Sequence, residues 1–272
     1  MKWLKWARII GLHFERTFEY RLKSLLWILI PVSNNLTLIL FWSGAAVNMS
    51  YISTYYILMT IGGLLLTSHV EYEVAEYDIK QGQLVNYLLK PVSYYWMNFI
   101  GELPYRVLQS FYALLIIGAF MIFFRGSLAI TLNPWHIPLV IIIFILGYLL
   151  SFTFKLSTAY LSFWFTEIRG VYELITIAYI VLSGSVMPLQ WYPPIIQKIT
   201  HVLPFAYSAY FPVIALQGAV SLHGLISIIA VQGGWICILM IVHNKMWKEG
   251  IKQFTAVGQE YDALFSYLQS DF

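Results

Sequence analysis

Long apolar intervals separated by short polar stretches dominate the chain. Residues 24–70 contain no Asp, Glu, Lys or Arg, which leaves room for two membrane helices of about 20 residues each. The polar stretch 43–51 divides this interval into two. Charge-free intervals in the whole sequence predict an all-α polytopic membrane protein with six spans, near residues 24–45, 51–70, 106–124, 138–160, 170–187 and 222–243.

The stretch before the last predicted span is apolar but broken by prolines. Pro188, Pro193, Pro194 and Pro204 each remove a backbone donor, so residues 188–204 cannot continue the preceding helix. Broken backbone at membrane depth needs protein or a wet cavity around it. We therefore interpret this stretch as a re-entrant segment, and a buried extracellular loop is the alternative.

Composition supports the membrane interpretation. Hydrophobic residues make up 60% of the chain and charged residues only 11%, whereas about a quarter of a soluble domain is charged. The single cysteine, Cys237, lies in an apolar run and supports neither a disulfide framework nor a metal site. The net charge of +3 does not indicate nucleic-acid binding, because the basic residues flank the predicted spans.

The basic residues predict the orientation of the chain. With a cytoplasmic N-terminus, only Arg125 and Lys198 of the 16 Lys and Arg residues fall outside, and Lys155 lies within a span. Because basic loops favour the cytoplasm, we expect both termini there. Lys155 and Glu173 are expected near the same leaflet, where they could pair. Snorkelling of Lys155 to the surface is the alternative.

Two amphipathic stretches lie outside the spans. Residues 1–20 set a basic face against one with Trp and Phe, which predicts a helix in the membrane interface. A helix packed on a soluble partner is the alternative. Residues 79–91 predict a short cytoplasmic helix with Leu84, Leu88 and, with less weight, Val85 on its apolar stripe. A helix on the membrane surface that contacts no partner is the alternative. Residues 244–272 are interpreted as a cytoplasmic tail, with no function assigned beyond 259.

Motifs for ATP hydrolysis and for hydrolases are absent from the 272 residues. There is no Gly-x-x-x-x-Gly-Lys-Ser/Thr loop, no Gly-x-Ser-x-Gly and no zinc-protease motif. The acidic stretch 69–78 fits no metal-binding spacing and is interpreted as a solvated helix end. These observations argue against an enzyme. They favour a transport subunit, with a secondary carrier or a channel as the alternative.

The residues around the broken stretch resemble those of a known family. The pattern is Ser183-Gly184, Met187-Pro188, Trp191-Tyr192-Pro193, Leu203-Pro204-Phe205 and Pro212. It resembles the signature of type-2 ATP-binding-cassette (ABC) exporter permeases, in particular the small six-span bacterial permeases of the viologen-exporter kind.

This resemblance implies a permease subunit in a bacterial plasma membrane. Its substrate would be amphipathic or hydrophobic, such as a drug-like cation, a lipid or a peptide. The chain itself would bind no cofactor, because ATP and Mg would bind to two copies of a cytoplasmic ABC ATPase. A second permease, identical or related, would complete the translocation pathway. Residues 1–20 would be the elbow helix of the family, and residues 79–91 its coupling helix.

The resemblance also implies roles for individual residues. The contacts that couple the permease to the ATPase would be made by Gln81, Gly82, Leu84, Leu88, Lys90 and Pro91. The extracellular gate would consist of Gly184, Pro188, Trp191, Tyr192, Pro193 and Pro204. The pathway candidates are polar or aromatic residues of spans one and five, namely Asn34, Asn35, Thr176, Tyr179 and Ser183. For the two asparagines, interhelical hydrogen bonding without a role in transport is the alternative.

Overall fold

The computed structural model describes residues 11, 21–45, 47–88, 90–123 and 129–270. Apart from Gly11, the interfacial helix expected for residues 1–20 lies outside them. All regular elements in the described part are helical. The α-helices are α1 (Arg21–Ser43), α2 (Met49–Leu66), α3 (Val70–Glu73), α4 (Val85–Leu88), α5 (Tyr94–Phe123), α6 (Ile137–Ala159), α7 (Arg169–Leu182), α8 (Pro194–Val202), α9 (Pro204–Tyr207), α10 (Tyr210–Gln217) and α11 (Leu222–Ser270). A π-helix follows α3 (Val74–Lys80), and 3-10 turns occupy Pro134–His136, Tyr160–Phe163 and Leu189–Trp191.

Several of these helices are apolar and long enough to cross a membrane. In the described residues four segments qualify: Met49–Lys80, Tyr94–Phe120, Pro134–Phe163 and Leu222–Phe254. The bent pair α8 with α9–α10, which turns by 69° at its break, would make a fifth. Helices α1 and α7 match the remaining two predicted spans, but the apolar part of α1 is short and α7 has 14 residues. The chain is therefore a multi-pass membrane protein, and the count of six spans stays a prediction.

Helix α2 lies at the centre of the bundle. It packs against α1, α5, α6 and α10, while α6 makes its largest contact with α11. The main hydrophobic core runs along α2 and includes Ile52, Tyr55, Leu58 and Ile61. A second core lies where the predicted cytoplasmic ends of the spans meet, around Val74, Leu84, Tyr94, Phe152 and Tyr160.

Three predicted elements differ in extent from the structure. Helix α5 begins at Tyr94, well before the start expected near 106. It contains Glu102, whose carboxylate accepts hydrogen bonds from Ser68 and Tyr148. Residues 79–91 do not form one helix. A π-helix ends at Lys80, Gly82 takes a left-handed φ of 74°, and α4 adds a single turn. The last span and the predicted tail share one continuous helix, α11.

Candidate functional site

Tyrosines of α2 hold the broken stretch that precedes the last helices. Tyr55 Oη donates to the Gly184 carbonyl at 2.6 Å, and Tyr56 Oη donates to the Val186 carbonyl at 2.6 Å. Trp42 Nε1 donates to Tyr56 Oη at 2.8 Å. These phenol groups supply the donors that a non-helical backbone in a membrane requires. The available sequence signal was a pair of tyrosines within an apolar predicted span. The hydroxyl of a buried tyrosine usually has a hydrogen-bond partner.

Gly184 is the point where the chain turns away from α7. Its φ is 83°, a left-handed value that favours glycine. A Cβ at this position would lie 3.0 Å from Tyr210 Cδ2 and 3.1 Å from Tyr55 Oη. The residue therefore combines a backbone requirement with a close approach between α2 and α10.

The predicted gate residues line a compact, hydrogen-bonded turn. Tyr192 Oη donates to the Val181 carbonyl at 2.9 Å, and Gln197 Nε2 donates to the Tyr192 carbonyl at 2.8 Å. The rings of Trp191 and Trp42 meet edge to face, with centroids 4.9 Å apart. Of the six predicted gate residues, Gly184, Pro188, Tyr192 and Pro204 are buried, Trp191 is half-buried and Pro193 is exposed. Side-chain hydrogen bonds therefore fix the backbone of this turn.

The predicted pathway residues differ in how far they are exposed. Asn34 on α1 and Thr176 on α7 are exposed. Asn35 is buried and donates from Nδ2 to Thr60 Oγ1 at 2.8 Å, which is the interhelical alternative. Ser183 is buried beside Ser185, with 2.8 Å between the hydroxyls. Tyr179 is half-buried, and Lys155 Nζ lies 5.9 Å from the centroid of its ring.

Asn34 opens onto a polar groove between α1, α2 and α5. The groove has a volume of about 520 Å³, and Ile30, Pro31 and Leu64 give it apolar surface. Its polar lining residues include Ser33, Asn34, Thr37, Thr67 and Gln109. Exposed apolar residues such as Leu29 and Leu36 on α1 and Val107 on α5 lie on the same helices. A polar groove flanked by apolar surface suits an amphipathic molecule.

A charged network lies beside this groove and was not anticipated. Ser68 Oγ lies 3.0 Å from both carboxylate oxygens of Glu102, and Tyr148 Oη donates to Glu102 at 2.8 Å. Arg106 pairs with Glu102 at 3.5 Å and donates from Nη1 to the Leu64 carbonyl at 2.9 Å. Arg106, one of the basic residues that the predicted orientation places on the cytoplasmic side, is buried. The i, i+4 spacing of Glu102 and Arg106 was the sequence feature that could have indicated this ion pair.

The expected pairing of Lys155 with Glu173 was wrong. Lys155 Nζ lies 2.5 Å from Glu71 Oε1, and both side chains are mostly buried. Glu173 pairs instead with Arg169 on the exposed surface, at 3.4 Å. The acidic stretch 69–78 is only partly a solvated helix end. Glu73 and Tyr77 are exposed, whereas Asp78 is buried and accepts a hydrogen bond from Tyr94 Oη.

The predicted coupling residues are mostly exposed. Gln81, Leu88, Lys90 and Pro91 are exposed and Gly82 is partly so, but Leu84 has no exposed surface and belongs to the second core. The exposed apolar residue that sequence analysis gave less weight is Val85, which is 50% exposed beside Leu88 at 42%. The outward apolar face of this segment is therefore Val85 with Leu88, and Leu84 supports it from within.

Comparison with known proteins identifies the family. A sequence model of the ABC-2 family transporter protein matches residues 20–258, most of the chain. No curated protein and no solved structure matches the chain. The matched range contains the tyrosine-anchored stretch, the polar groove and the exposed segment around Val85 and Leu88. The chain belongs to the ABC-2 family of transporter proteins.

Proposed function

We propose that the chain is the permease subunit of an ABC exporter and forms half of a translocation pathway. Membership of the ABC-2 transporter family implies that this membrane-embedded chain works with an ABC ATPase. The 272 residues contain no P-loop, so ATP and Mg would bind to that separate subunit.

The observation that carries the proposal is the outward placement of polar residues on α1 and α7. Asn34 and Thr176 are exposed on helices that match predicted spans. Every residue of α7 is described, and none is buried. Polar side chains within spans usually face protein or a water-filled cavity. A second permease, identical or related, would supply that protein face and enclose the pathway between the two copies.

The segment around α4 supports docking of the ATPase. Val85 and Leu88 present an apolar face, and Gln81, Lys90 and Pro91 are exposed around it. Apolar side chains on an exposed surface become favourable when a partner covers them. The π-helix and the second core would then transmit the movement of this segment to α6 and α11.

The stretch anchored by Tyr55 and Tyr56 would close the outer end of the pathway. The polar groove with apolar flanks supports an amphipathic or hydrophobic substrate, such as a drug-like cation, a lipid or a peptide. We place the protein in a bacterial plasma membrane with both termini in the cytoplasm, in accordance with the distribution of basic residues. The viologen-exporter subtype rests on the sequence motif alone.

A pair of aspartate substitutions tests the ATPase dock. Leu88→Asp adds a charge to the exposed face, which would have to be desolvated on docking. We expect a stable, inserted protein that no longer co-purifies with an ABC ATPase. Leu84→Asp adds the same charge to a buried site, so it should destabilise the fold itself.

Membrane insertion, thermal stability in detergent and ATPase co-purification are measured for both variants. Gln83→Asp, at an exposed neighbouring position, is the matched control and should retain the ATPase. If Leu88→Asp retains the ATPase and the transport activity, this segment is not the dock.

A further inference from the structure

A second cavity lies away from the polar groove, where the second core meets α4. Its volume is about 340 Å³, and it is enclosed by α4 and the residues after it, the start of α5, the turn after α6, and α11. The exposed lining residues, which mark the mouth, are Leu88, Lys90, Ser93, Trp96 and Asn244. Tyr160 and His243 are buried and form the floor.

The floor carries two buried polar atoms without partners. Tyr160 has no exposed surface and His243 is 4% exposed, and their ring centroids lie 5.0 Å apart. Within the described part of the chain, neither Tyr160 Oη nor His243 Nδ1 has a hydrogen-bond partner. Unsatisfied buried polar atoms are unfavourable. Both atoms can take part in hydrogen bonds with a bound group that enters the cavity.

The walls of the cavity are aromatic. The rings of Tyr94 and Trp247 stack with centroids 4.8 Å apart at an angle of 8°, and Trp247 also lies 5.2 Å from Tyr160. The Tyr95 ring meets His243 edge to face at 4.9 Å. One water occupies about 30 Å³ of liquid, so the space far exceeds a single bridging water. The aromatic walls suit a ligand with an apolar portion beside its hydrogen-bonding groups.

The surroundings of the mouth are basic. Lys90 Nζ lies 4.8 Å from the centroid of the Tyr87 ring, and Lys245 and Lys248 are exposed on α11 beside lining residues. The Asp78 carboxylate accepts a hydrogen bond from Tyr94 and is buried. The Glu249 carboxylate is paired with Lys252. An anionic group is therefore favoured at the mouth.

The position of the cavity points to a lipid. Trp96, a half-exposed lining residue, and the lysines of α11 are of the types that mark a membrane–water interface. Basic pockets between membrane helices at this level bind lipid head groups. We propose that the cavity binds the head group of an anionic phospholipid with free hydroxyl groups. Its phosphate lies at Lys90, and its hydroxyls form hydrogen bonds with Tyr160 and His243.

This lipid site uses none of the predicted pathway residues, but it shares Leu88 and Lys90 with the segment proposed to dock the ATPase. A head group seated between Lys90 and His243 would connect the end of α4 to α11. The bound head group would thereby stabilise the position of the exposed face formed by Val85 and Leu88. The lipid is part of the surroundings of the protein rather than its cargo.

The test is native mass spectrometry of the purified full chain with added phosphatidylglycerol or phosphatidylcholine of identical acyl chains. The wild type should retain phosphatidylglycerol preferentially. Tyr160→Phe should lower that retention about fivefold, the value of roughly one net hydrogen bond. Lys90→Gln should lower it as well. Tyr77→Phe and Lys198→Gln, at exposed positions outside the cavity, should not.

Thermal unfolding separates lipid binding from a purely structural role of Tyr160. Without lipid, Tyr160→Phe should be at least as stable as the wild type, because it removes an unpaired buried hydroxyl. With phosphatidylglycerol, the wild type should gain more stability than the variant, because a ligand stabilises the state that binds it.

Three outcomes would overturn the proposal. The first is equal retention of the two lipids by the wild type. The second is unchanged phosphatidylglycerol retention in both Tyr160→Phe and Lys90→Gln. The third is displacement of the lipid by soluble glycerol phosphate at matched concentration, which would assign the cavity to a soluble phosphate ester. All of these readouts are made on the purified chain without an ATPase, so the lipid site and the transport proposal can fail separately.

Discussion

Helices α2 and α7 are both apolar, but the chain surrounds one and leaves the other uncovered. About two thirds of the apolar window that contains α2 is buried, and its tyrosines bind the broken stretch. Helix α7 buries none of its residues and makes its main contact with the short helix α9. Apolarity therefore predicts membrane helices without distinguishing a helix at the centre of the fold from one available to a partner.

The largest expected effect comes from truncating a leucine on each helix. Leu58 on α2 is 3% exposed, and Leu174 on α7 is 70% exposed. Leu58→Ala should lower the free energy of unfolding by about 2–5 kcal/mol, through lost contacts and a residual cavity. Leu174→Ala should change it by no more than about 0.5 kcal/mol. Denaturation of the monomeric chain in detergent measures both, and equal losses would remove the distinction between the helices.

A smaller effect is expected from adding a methyl group at either end of α7. Gly184→Ala forces an L-residue into a left-handed backbone and places its Cβ against Tyr210, so we expect a loss of about 1–3 kcal/mol. Gly170 lies in the first turn of α7, and its Cβ would meet nothing within 4 Å. Gly170→Ala should be neutral or stabilising by up to about 1 kcal/mol.

Thermal melting of the two glycine variants in the same detergent gives the comparison. A Gly184→Ala protein as stable as the wild type would mean that the turn after α7 is not held in the conformation described.

The membrane character and the family were predictable because both depend on local sequence. Charge-free intervals mark apolar helices, and prolines mark the break after α7. The family motif lies in the same broken stretch, and the match to residues 20–258 confirmed the ABC-2 assignment. The bent pair α8 and α9–α10 agrees with a re-entrant segment or a broken span, so the finer interpretation stays a prediction.

The partners of charged residues were less predictable because they come from distant parts of the chain. Lys155 pairs with Glu71 rather than with Glu173, since the segment after α2 continues along α6. Leu84 and Leu88 have the same apolar character and helical spacing, but the turn at Gly82 directs Leu84 inward. Sequence periodicity assumes a regular helix, and the π-helix with its following turn removes that regularity.

The central claim is that this chain is half of a membrane pathway and is powered by a separate ATPase. The most direct test is native mass spectrometry of the complex, purified in mild detergent and assayed for transport. We expect an assembly of two permeases and two ATPase subunits that is active in transport. This assembly should lose its transport activity when the ATPase dissociates. A single copy of the chain that transports without any ATPase would contradict both the assembly and the exporter function.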